Sequence, residues 1–70
     1  MISIELDSTM ESIAIYANAQ GIDEVIRYLE FIKDKKDHIH LVVGNELSDN
    51  IIEKGDSLIR HLKLGFYDGD

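Results

Sequence analysis

Apolar and polar positions alternate twice near the start of the chain. Ser3 and Glu5 separate Ile2, Ile4 and Leu6, and Ala14 and Tyr16 separate Ile13, Ile15 and Ala17. A period of two places each apolar set on one face of a strand. Asp7, Ser8 and Thr9 between them are turn formers, so the two segments read as a hairpin. After Gly21 the period changes. Ile22, Val25, Ile26, Leu29 and Ile32 recur at spacings of three and four, the stripe of an amphipathic helix. Asp23 and Glu24 lie at its start and Lys33, Lys35 and Lys36 at its end, which suits the helix dipole. Tyr28 and Phe31 flank the stripe and widen the expected core contact. Alternation then returns: Ile39, Leu41 and Val43 point one way, His38, His40 and Val42 the other. A last alternating run at 58–67 sets Leu62, Leu64 and Phe66 against His61, Lys63, Gly65 and Tyr67.

Between these runs, residues 44–57 are rich in turn formers, among them Asn45, Ser48, Asp49, Asn50, Gly55, Asp56 and Ser57. Leu47, Ile51 and Ile52 are the side chains able to pin this segment to a core. The order is therefore ββαββ, a single domain over residues 1–70. One helical stripe and four half-apolar strands predict a two-layer α+β fold, with the helix on one face of a four-stranded, mainly antiparallel sheet. Sheet order 2-1-3-4 makes every neighbour antiparallel. Order 1-2-3-4 is the alternative and needs a right-handed parallel crossover. The tail 68–70 is expected to fray.

One helix covers one sheet face, so the other is left for water or a partner. Alternation assigns Ser3, Glu5, Ser12, Ala14, Tyr16, His38, His40, Val42, His61, Lys63 and Tyr67 to that second face. Glu5, Tyr16, His38, His40, His61, Lys63 and Tyr67 are the candidate partner-binding residues, mixing aromatic, imidazole and charged groups as interfaces do.

Composition narrows the chemistry. Seven basic residues against fourteen acidic ones give a net charge of −7, and the first 26 residues carry no Lys or Arg. Such a surface repels phosphate backbones and attracts basic partners. The absence of cysteine removes disulfides and thiolate metal sites. No apolar run approaches the roughly 20 residues that span a bilayer, and no secretory leader is evident, so the cytoplasm is the expected compartment. The glycines match neither phosphate-binding nor dinucleotide-binding patterns, and no nucleophile elbow surrounds Ser48 or Ser57. No catalytic residue and no cofactor is assigned. The histidines carry one further option. Alternate strand positions bring His38 and His40 to one face, and with His61 they offer three imidazoles to a metal ion, enough in number for zinc.

The helix start at Gly21 to Glu24, the H-I-H-L run at His38 to Leu41 and the H-L-K-L run at His61 to Leu64 together resemble the Imm32-type family of small bacterial immunity proteins from polymorphic toxin systems. That resemblance implies a cytoplasmic protein that neutralises a cognate toxin by occluding it. The acidic charge points to a basic toxin, such as a nuclease. Two other readings stand beside it: a small histidine-based metal-binding protein, and a homodimeric interaction module that buries its free sheet face.

Overall fold

The computed structural model describes residues 1–69, so the expectation for Asp70 lies outside the described residues. The elements are β1 (Ile2–Leu6), β2 (Ile13–Ala17), α1 (Ala19–Lys35), β3 (His38–Val42), β4 (Ser57–Leu58) and β5 (His61–Gly65). The fold is α+β, as the periodicity predicts. The single four-stranded sheet is not formed. In its place stand a three-stranded sheet of order β2-β1-β4 and a two-stranded sheet β3-β5, all neighbours antiparallel.

The final run, expected as one strand, bends at Ile59 and Arg60. Its first part pairs with β1, with Leu58 opposite Glu5, and its second with β3, with Leu64 opposite Ile39. It thus lies between β1 and β3, and the predicted neighbourhood of β1 with the histidine strand is absent. The cause is visible in the hydrogen bonds of β1. The Ile4 carbonyl accepts from the Ile59 N–H at 2.8 Å, as in a continuous ladder, but the Ile2 carbonyl accepts from the Ser48 N–H at 2.7 Å. The segment before Ser48 enters where β5 would otherwise continue along β1. Leu47 is driven into the core there, only 3 % exposed.

The core is small: Ile2, Ile4, Leu41 and Leu47, with Val25, Tyr28, Ile39, Leu62 and Leu64 packed around them. The helix begins two residues earlier than predicted. Asn18 caps it, accepting from the Gly21 N–H at 2.8 Å, and the first turn contains no acidic residue. Its far end closes with Lys36 in the left-handed conformation and Lys33 and Lys35 in the last turn. The helix also sits rotated from its predicted stripe. Gly21 and Ile32 are buried, Val25 and Tyr28 meet the core, and Ile22, Ile26 and Leu29 stay about half exposed.

Gly21 explains the rotation. A Cβ at this position would overlap the Met1 carbonyl and press on the Ala17 side chain. Only glycine lets the first helical turn lie this close to the strand, and that approach selects the buried face. The 7–12 loop is organised by Asp7. Its carboxylate accepts from the Ser12 hydroxyl at 2.7 Å, the Glu11 N–H at 3.0 Å and the Thr9 hydroxyl at 3.0 Å. The Ser12 bond first, then that of Glu11, holds its pKa down to about 2, against the opposing effect of partial burial.

Gly21→Ala tests the packing argument against local propensity. Alanine favours a helix interior by about 1 kcal/mol, yet the overlap should make the variant less stable by about 1–3 kcal/mol. Chemical denaturation measures the sign directly.

Candidate functional site

The back of the molecule, away from α1, divides into two regions with different fates. The first is the outer face of β1. Ser3 and Glu5 are both 0 % exposed. Their predicted place on an open face is overturned: residues 44–56 fold across them as a strap. Glu5 fastens it. Its carboxylate accepts from the Ile52 N–H at 2.7 Å, the Glu53 N–H at 3.1 Å and the Ser3 hydroxyl at 2.7 Å. The Ser3 hydroxyl lies a further 3.3 Å from the Asn50 carbonyl.

Glycines set both ends of the strap. Gly44 and Gly55 have φ of +94° and +96°, which L side chains rarely adopt. Gly44 belongs to the turn in which the Asn45 and Leu47 N–H groups both donate to the Val42 carbonyl. Gly55 belongs to the turn closed by the Asp56 N–H on the Glu53 carbonyl. The expectation that Ile51 and Ile52 pin this segment is corrected. Both are exposed, and Leu47 with the Glu5 carboxylate holds it instead.

Asp56 completes the arrangement as a hydrogen-bond partner of Glu5. Burial alone would raise the pKa of Glu5, but the bonds from Ser3, Ile52, Glu53 and Asp56 together outweigh it and hold the group below its ordinary range. Asp56 moves upward, first through burial, then through its bond to Glu5 and the charges of Glu5, Glu53 and Asp7. Of the two, Asp56 is the one that takes up a proton first as the pH falls. Tyr16, another predicted partner-binding residue, is half-buried beside this group, and its hydroxyl is also pushed up, by burial and by Glu53, Asp56 and Glu5.

The second region is the outer face of the β3-β5 hairpin, and here the predicted residues do converge. His40 lies opposite Lys63 and Val42 opposite His61, which sets His61 diagonally beside His40. His40 Nδ1 lies 2.7 Å from His61 Nε2, so one nitrogen carries the proton and the other accepts it. The His38 ring stands edge-on to His40 with centroids 5.1 Å apart, and its Nδ1 is 3.1 Å from Asp37 Oδ1. His38, His40, His61 and Lys63 are all exposed. Tyr67 is 85 % exposed at the end of the following segment.

The three rings do not point at one centre. Among the described residues no three His, Cys, Asp or Glu side chains are placed to hold a metal ion, and no pocket is enclosed. What the cluster does is limit its own charge. With both facing nitrogens protonated, two N–H groups would meet at 2.7 Å. The pKa of His40 is accordingly lowered, first by partial burial and then by His61, His38 and Lys63.

Alternation along the strand was enough to find the histidine face. The Glu5 clamp had no such signal, because its partners lie 47 and 48 residues away in a segment without periodicity.

Two predictions follow from these assignments. Glu5→Gln turns one accepting oxygen into a donor facing N–H groups, and should lower the melting temperature by roughly 10 °C, whereas Asp56→Asn, which removes a carboxyl crowded by Glu5, Glu53 and Asp7 and can donate an amide N–H, should leave it equal or higher. For His40, a lowered folded-state pKa means that the unfolded chain binds more protons there, so stability declines as pH falls below about 6.5. NMR titration should find His40 below that value, and His61→Ala should move it upward.

No protein-family model, curated protein or solved structure matches the chain.

Proposed function

We propose that the chain works by binding another protein, as an immunity-type inhibitor that occludes a basic toxin in the cytoplasm of the cell that makes it. The contact surface is the outer face of the β3-β5 hairpin. The observation that carries this reading is the exposed cluster of His38, His40 and His61 beside Lys63, with Tyr67 beyond it. Their side chains are not taken up by the fold in the way that Ser3 and Glu5 are. The rings are mutually ordered on paired backbone, so little side-chain freedom remains to be lost when a partner arrives. Imidazole, tyrosine and lysine together offer flat apolar surface with donors and acceptors at the rim.

The net charge of −7 supports the choice of a basic partner, because it accelerates encounter with a positively charged protein at low salt. Glu5 is withdrawn from the contact set by its burial, and Tyr16 contributes at most an edge. The binding residues are then His38, His40, His61, Lys63 and Tyr67, acting without a cofactor and without a catalytic group.

Co-expression with a toxin encoded beside this gene provides the test. Protection by the native chain, weakened at least about tenfold in affinity by His40→Ala with His61→Ala, is the expected result. Death of cells that contain abundant folded protein would sink the proposal.

A further inference from the structure

The apolar surface of this chain is distributed in an uncommon way. Ile13 and Ile15 share with Ile4 the sheet face on which α1 lies, opposite Leu6 and Ile4 in the ladder. The helix does not reach them, and they are 61 % and 60 % exposed. One residue, Asn18, separates β2 from the helix, whose Ile22, Ile26 and Leu29 continue the apolar surface at 51 %, 49 % and 48 % exposure. The two rows are joined in the chain by this short strand–helix connection. The strand β2 is an edge strand, since it ends the three-stranded sheet. Its five residues, IAIYA, contain no charge, proline or bulge of the kind that blocks pairing at a free edge.

The shape of the molecule agrees. The accessible surface is 5173 Å², whereas a compact monomer of this mass exposes about 4450 Å². The radius of gyration is 12.9 Å, against about 11 Å for a compact domain of this length, and the shortest extent is 18 Å. The chain therefore exposes more surface than a compact monomer of its mass.

From this we infer that the β2 edge and the adjoining helix flank form the interface of a two-fold homodimer, in which β2 pairs antiparallel with β2 of a second copy. A register centred on Ile15 pairs all five residues of the strand and sets Ile15 against its own two-fold mate. The occupant is a second copy because the strand itself is apolar and uncharged. Two copies can pair along β2 without setting like charges opposite each other in the ladder, and homodimer interfaces are the more apolar class. A basic partner recruited by charge would find no carboxylate within β2. The interface is distinct from the histidine face and does not depend on the reading of that face.

Sedimentation of the full-length chain from about 10 μM to about 1 mM, a range that captures weak as well as firm association, is the primary test. The expected species has twice the 8.0 kDa chain mass. Ile15→Lys and Ile26→Glu, at exposed positions, should stay folded by circular dichroism and weaken dimerisation by at least about 100-fold. A native chain that remains monomeric throughout overturns the inference and leaves this face to a different protein. So does a dimer that persists in both folded variants. If either variant fails to fold, mixed isotope-labelled native protein decides. Contacts between copies at the Ile15 methyls support the interface, and their absence overturns it.

Discussion

A single buried carboxylate organises one side of this molecule. Glu5 has no access to water, and that burial is tolerated because three donors converge on its carboxylate. An unpaired buried charge would be prohibitive; a charge-assisted network is not. The donors come from Ser3 on the same strand and from Ile52 and Glu53 nearly fifty residues on. The carboxylate therefore closes a long loop with polar bonds where the segment lacks the apolar residues to close it by burial. Leu47 is the one firm apolar anchor of that loop, and Ser48 takes the β1 carbonyl that would otherwise extend the sheet.

The split sheet follows from the same constraint. Because the strap enters beside Ile2, the last strand leaves β1 at Ile59 and joins β3 instead. The helix, capped at Asn18, packs against β2 of one sheet and against β3 and β5 of the other. Its flank and the far end of β2 are left without cover. A small core and a large apolar exterior are two consequences of one topology.

The histidine face shows a different use of exposure. His38, His40 and His61 lie on a ladder whose other face, Ile39, Leu41, Leu62 and Leu64, meets the core. Packing behind fixes the rings in front, and the contact of His40 with His61 leaves room for one proton where two nitrogens meet. The three rings pack against one another within a strongly acidic chain. In the proposed role it provides a specific contact, while the surrounding carboxylates supply long-range attraction.

The sequence by itself determined the segments and their periods: strands at both ends, a helix between, and the inward set Ile2, Ile4, Ile39, Leu41, Leu62 and Leu64. It also placed His38, His40 and His61 on one face, since strand alternation is a local property of the backbone. Only the tertiary structure decided what lay against each face. Ser3 and Glu5 alternate like solvent-facing residues, yet distant N–H groups bury them. Ile13, Ile15, Ile22, Ile26 and Leu29 have the spacing of core residues, yet close packing at Gly21 turns the helix and the sheet ends short of a cover. Periodicity reports that a residue points away from its neighbours, and burial depends on which remote segment arrives there, a matter settled by loop closure and by the pairing of donors with acceptors.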